Sequence, residues 1–210
     1  MRKPIWRNSD LWLVGALIVV AVYAGCNVFP RVSFDRERID VWALPHQIQV
    51  RGLYHYRNPS SLPAFLSLGL PFPVDAEHPR PTFYSVATVT KDGETLEYIR
   101  CREHFGDVRF RVFLRPHEAK WVRVDYVQSA RTPQGTYILT TTRKWGHPLL
   151  YGDYILHLGQ GLHLVEMNYP PDFVSGNNTY SFSKSNFYPS EDWKFAWSEN
   201  AASTGERDKQ

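Results

Sequence analysis

From about residue 45 onward, apolar and polar side chains alternate in short runs, and each run stops at a cluster of Pro, Gly, Asn or Asp. Alternation puts successive side chains on opposite faces of an extended chain, so each run reads as a half-buried strand. Residues 107–115 are the clearest case. Val108, Phe110, Val112 and Leu114 share one parity and Arg109, Arg111 and Arg115 the other, with Phe113 as the exception. Ile48, Val50, Tyr54 and Tyr56 follow the same rule, as do Val122, Val124 and Tyr126. Lys91-Asp92-Gly93-Glu94 lies between two such runs and signals a hairpin, because Gly accepts a positive φ and Asp tolerates it. Further turns at residues 58–61, 116–118, 133–135, 145–148 and 159–161 bound expected strands at 83–90, 95–100, 120–128, 136–143, 153–158 and 162–169. Turns every ~8–12 residues, with no 3.6-residue periodicity between them, predict an all-β fold, an antiparallel immunoglobulin-like β-sandwich. That likeness is one of fold and transfers no function.

The first thirty residues obey a different rule. Arg2, Lys3 and Arg7 precede residues 11–25, which carry no charge, and the next charge after Asp10 is Arg31. As a helix, residues 11–30 would reach ~30 Å, about one hydrocarbon core. A transmembrane or signal helix is therefore expected to precede the sandwich. With the cations before the span, Met1 faces the cytoplasm and the rest of the chain lies outside it. Tyr23-Ala24-Gly25-Cys26 resembles a bacterial lipoprotein processing site, with Tyr23 where Leu is usual, and makes Cys26 a lipidation candidate. Val22-Tyr23-Ala24 also suits ordinary signal cleavage. The expected layout is an anchor or signal segment at 1–30, a linker or membrane-proximal strand at 31–44, the sandwich at 45–197 and a disordered tail at 198–210.

Composition narrows the function. A net charge of +3, with three cations on the N-terminal flank, does not imply nucleic acid. Arg100, Arg102, Arg109, Arg111, Arg115, Arg123, Arg143 and Lys144 fall on or near expected strands. Side by side they would make a cationic stripe, although Glu94, Glu97, Glu103, Asp107 and Asp125 are placed to neutralise it. No nucleophile elbow or metalloprotease helix is present, and no metal site or cofactor is expected. His157 and His163 flank an expected turn but make too few ligands alone. Asp75, Glu77 and His78 offer too few carboxylates for calcium. Cys101 reads as a small residue on a strand. The late aromatics, Tyr180, Phe182, Trp193, Phe195 and Trp197, alternate as a last strand closing the core would, or as a glycan platform if exposed.

The segment 61–80 carries Pro63, Pro71, Pro73 and Pro79, which cannot donate to a ladder. It is expected to be an irregular excursion or a sheet edge. Leu68, Leu70 and Phe72 are then the candidate partner-binding residues, with the alternative that Phe72 turns back to plug the sandwich. The expected function is a membrane-anchored, extracytoplasmic binding or assembly module for an envelope protein partner. A carbohydrate-binding module and an envelope hydrolase with unrecognised carboxylates are the alternatives.

Overall fold

The computed structural model describes residues 32–104, 107–176 and 178–199. The expected anchor with Cys26, and all but two residues of the expected tail, lie outside these. Among the described residues no helix is long and apolar enough to cross a membrane.

The fold is all-β, with packed sheets. In chain order the strands are β1 (Ser33–Leu44), β2 (Gln47–Arg57), β3 (Ala64–Leu70), β4 (Phe83–Val89), β5 (Thr95–Tyr98), β6 (Arg102–His104), β7 (Asp107–Leu114), β8 (Ala119–Ser129), β9 (Gln134–Tyr137), β10 (Leu149–Leu158), β11 (Leu162–Met167), β12 (Phe173–Ser175), β13 (Thr179–Phe187) and β14 (Trp193–Glu199). One sheet has eight strands in the order β12-β13-β10-β1-β2-β8-β4-β5; two three-stranded sheets have the orders β11-β14-β9 and β3-β7-β6. An immunoglobulin domain has seven to nine strands in two antiparallel sheets. The strand order here differs, and β1 and β10 run parallel.

Residues 33–44 are no linker. They form β1, paired along its length with β2 and β10 near the middle of the large sheet. Their charges hide the strand in the sequence, yet Glu37, Ile39, Val41 and Ala43 share one parity and all are buried. A bulge between Phe34 and Arg36 shifts the register. Phe34 thereby joins the core, while Asp35 meets Nδ1 of His55 at 2.6 Å.

The Pro-rich segment contains an edge strand, β3. Residues 64–70 pair fully with β7, from Ala64 opposite Leu114 to Leu70 opposite Val108. The chain that follows is pinned by two buried side chains. The Gln128 amide donates to the carbonyls of Pro73 (2.8 Å) and Pro79 (3.0 Å). His78 meets Asp75 through Nδ1 and the Gln134 carbonyl through Nε2, each at 2.9 Å. Prolines stop ladders but leave carbonyls to accept, and these do.

The expected strand at 136–143 is cut short. β9 ends at Tyr137, and Thr140–Trp145 is a 3-10 helix. Asp192 Oδ1 accepts from the backbone N–H of Leu139 and Thr140, and the Thr142 hydroxyl donates to the Leu139 carbonyl. Such local bonds compete with a ladder. The helix ends at Gly146, whose φ of 74° is left-handed.

The late aromatics close the core. Trp193, Phe195 and Trp197 on β14 and Phe182 on β13 are all buried.

Candidate functional site

A cleft of about 580 Å³ opens where the three sheets meet. This volume lies within the usual range for small-molecule sites. The large sheet supplies its floor, Phe34 and Glu37 of β1 and Tyr54 and Tyr56 of β2. Leu66, Leu68 and Leu70 of β3 form an apolar wall. The 3-10 helix contributes Thr141, Lys144 and Trp145, and β7 contributes Arg109. The rings form one cluster: Phe34 lies 5.9, 5.3 and 5.6 Å from Tyr54, Tyr56 and Trp145, and Tyr56 lies 5.7 Å from Trp145.

Among the described residues, Glu37 is the only carboxylate lining the cleft. It is 3% exposed. The Tyr154 hydroxyl donates to Oε1 at 2.5 Å. Burial pushes the carboxyl up from 4.5 to about 7, against the lowering effect of that bond. Desolvation penalises the ionised form more than one donor relieves it. Tyr54 and Tyr137 share a hydrogen bond of 2.6 Å. Burial, then the nearby Glu37, hold Tyr54 well above its usual range. Tyr137 is raised mainly by burial too.

Two glycines make this geometry possible. Tyr154 leans back along β10 over Gly152, where a Cβ would stand 2.6 Å from its hydroxyl oxygen. Gly152 is the register partner of Glu37, so the lean delivers the hydroxyl to the carboxyl. Tyr54 leans over Gly52 in the same way, where a Cβ would clash with its hydroxyl oxygen. On the other side of Tyr154, Phe182 stacks at 4.6 Å and Trp193 meets it edge-on at 5.9 Å.

The candidate residues from the sequence divide here. Leu68 and Leu70 line the cleft, on a paired strand. Phe72 lies apart and packs half-buried on Tyr126, edge-on at 5.1 Å, and near Tyr84 at 6.1 Å. The sequence reading does not reach Glu37, Tyr54 or Trp145 as site residues. Two signals point to the first two: an acidic residue on the inward parity of β1, and the motif Gly-x-Tyr occurring at both 52–54 and 152–154; none points to Trp145.

Other sequence candidates are structural. His157 and His163 do not face each other, because β10 pairs with β1 and β13 while β11 joins β14 in another sheet. His157 stacks on Trp42 at 4.9 Å and meets Asp40 through Nε2 at 3.1 Å. Asp75 accepts from the backbone N–H of Glu77 and of His78, as a turn side chain does. Among the described residues, no three His, Cys, Asp or Glu side chains gather as a metal site. Burial raises the Cys101 thiol, which disfavours the reactive thiolate. The basic set is split between layers. Arg102 and Arg109 lie opposite each other on β6 and β7, whereas Arg123 on β8 bonds Asp125, which also takes Arg51.

A shallower depression of about 320 Å³ lies elsewhere on the large sheet, lined by Trp42, Arg51, Phe83, Tyr98 and Asp125 among others.

No protein family and no curated protein sequence matches the chain. Solved structures do resemble it. A candidate nutrient-binding protein of Legionella pneumophila superposes with a TM-score of 0.58 at 10% identity, covering 80% of this chain and 67% of that one. An M1 zinc metallopeptidase of Deinococcus radiodurans gives 0.44 at 10% identity, and this chain covers 42% of its length. At such identity the first likeness is one of fold alone, and the second carries no argument about function.

Proposed function

We propose that the chain is a binding module of the cell envelope, held at a membrane by its N-terminal segment, with the cleft at the sheet junction as its ligand site. The observation that carries this reading is the cleft itself, an open space of small-molecule size with aromatic and leucine walls and one buried carboxyl. Mostly apolar walls with a few placed polar groups are the common form of a ligand pocket. The fold likeness to a candidate nutrient-binding protein agrees with binding. Glycoside hydrolysis by two protein carboxylates is disfavoured, since it needs a pair flanking one bond and, among the described residues, this cleft has Glu37 alone. Leu68 and Leu70 serve as ligand contacts here, and a protein partner docks by inserting an apolar group between them and the rings. The sandwich is immunoglobulin-like only in the general sense of packed β layers.

The depression with Trp42, Phe83 and Tyr98 favours a second reading, a glycan platform, because exposed rings stack on sugar faces.

A thermal-shift screen of small molecules tests the first reading. Compounds that raise the midpoint of the native protein should fail on Leu68→Trp, which fills the cleft, provided the variant still melts cooperatively. Hits indifferent to Leu68→Trp but lost in Trp42→Ala would favour the platform instead.

A further inference from the structure

We propose that the cleft binds an organic ammonium group, with the Glu37 carboxylate as counter-ion and the aromatic cluster as its lining. This deepens the cleft reading above and rests on it.

Glu37 is buried on the central strand, where its chemistry is left incomplete by the protein. Its hydrogen-bond partner is the Tyr154 hydroxyl, and no Lys, Arg or His among the described residues forms an ion pair with it. Buried charges in folded proteins are normally paired. Here the carboxyl instead lines an open cleft, beside rings whose faces attract cations. A cation over an aromatic face is favoured by the ring quadrupole, and more so away from water. At the Glu37 end of the cleft, the carboxylate and the ring cluster therefore favour a positively charged head over a neutral or negative one of equal size. Leu66, Leu68 and Leu70 offer the body of such a ligand an apolar wall. Lys144 lines the same cleft, so a ligand with an anionic far end would meet both signs in turn.

The proposal also sets a pH dependence. Pairing with an ammonium needs the ionised carboxyl, and Glu37 sits at about 7 in the empty protein. Tyr154 of β10 donates to it, and the titratable and charged groups that line the cleft with it are Tyr54 and Tyr56 of β2, Tyr137 of β9, Arg109 of β7 and Lys144 of the helix; β3 brings Ser67 beside its leucines, and β8 brings Val124. Burial raises all four tyrosines above their usual range. Glu37 is thus the carboxyl that gates the ligand near neutral pH. Its ionised fraction rises about tenfold from pH 6 to pH 8, and affinity follows the competent fraction.

Three probes of one shape test this on the full-length protein: phenethylamine, 2-phenylethanol and 3-phenylpropanoate, followed by calorimetry and by tryptophan fluorescence, to which Trp145 contributes. Phenethylamine should bind best, lose about tenfold in affinity between pH 8 and pH 6, and lose at least tenfold in Glu37→Gln at pH 8. Glu37→Gln removes the charge but keeps an oxygen for Tyr154, and it should not affect the alcohol. Amine binding that ignores Glu37→Gln, or an alcohol or acid that binds as well as the amine, overturns the ammonium assignment. If such neutral or acidic binding is still abolished by Leu68→Trp, the cleft reading stands without it. If neither phenethylamine nor any screened compound depends on Leu68, both fall.

Discussion

Glu37→Gln should stabilise the protein at alkaline pH and leave it nearly unchanged in acid. The carboxyl is raised by burial from 4.5 to about 7 in the folded state. Between those values the native state holds a proton that the unfolded chain has released. Stability from this group is therefore fully present below 4.5, falls as pH rises towards 7, and is flat above. A rise of that size corresponds to about 3 kcal/mol lost by pH 8, taking ~1.4 kcal/mol per pH unit. Gln carries no charge to desolvate and can still accept from Tyr154, so the variant escapes the loss. Urea unfolding of native protein and variant, in parallel at pH 4.5, 6, 7 and 8, reads the effect. Other titrating groups are common to both proteins and cancel in the difference. With a urea slope of about 2 kcal/mol per molar, the variant's midpoint at pH 8 should exceed the native by about 1.5 M, and the two should converge in acid. A gap that stays constant within about 0.5 kcal/mol across this range would refute the argument, because it would mean that Glu37 does not gain a proton on folding.

Three further outcomes are expected. Gly152→Ala puts a Cβ 2.6 Å from the Tyr154 hydroxyl, on a ring held by Phe182 and Trp193, so it should cost about 1–3 kcal/mol and raise Glu37 further by removing its donor; unchanged melting and an unchanged carboxyl titration by NMR would contradict this. Phe72→Ala should cost about 2 kcal/mol, less than a fully buried Phe, because the ring packs half-buried on Tyr126; undiminished stability together with lost partner capture would restore the docking role that the sequence suggested for it. A phosphatase fused after Gln210 should be active in the periplasm if the cations before residues 11–25 orient the chain by the positive-inside bias; a stable but inactive fusion would reverse the topology.

The strands were legible where one face is wet and the other dry. β7 and β8 match their expected spans closely because Val108 to Leu114, apart from Phe113, and Val122 to Tyr126 alternate. The turn at Gly93, with φ of 89°, is where Asp-Gly placed it. Legibility failed where polar groups are buried with partners. β1 looked like a linker because Asp35, Glu37 and Asp40 are acidic, and all three are buried in hydrogen bonds to His55, Tyr154 and His157. Those partners are ~20 residues or more away in the chain, beyond what local pattern reveals. The same holds for the 3-10 helix, whose start is fixed by Asp192, more than fifty residues on. The cleft was legible only in part. Leu68 and Leu70 stood out as apolar groups among prolines, but their pairing with β7 and their meeting with Glu37, Tyr54 and Trp145 depend on how three sheets close on one another.

The cleft itself is tested most directly by mapping where a small probe sits. Amide and tryptophan-indole NMR shifts of the labelled protein, recorded during titration with phenethylamine and with 2-phenylethanol, locate the site without relying on a mutation. Perturbations gathered around Glu37, Tyr56, Leu68 and Trp145 are the predicted result. Perturbations gathered instead around Trp42, Arg51 and Tyr98 on the second depression, with the cleft unmoved at saturating probe, would contradict the account.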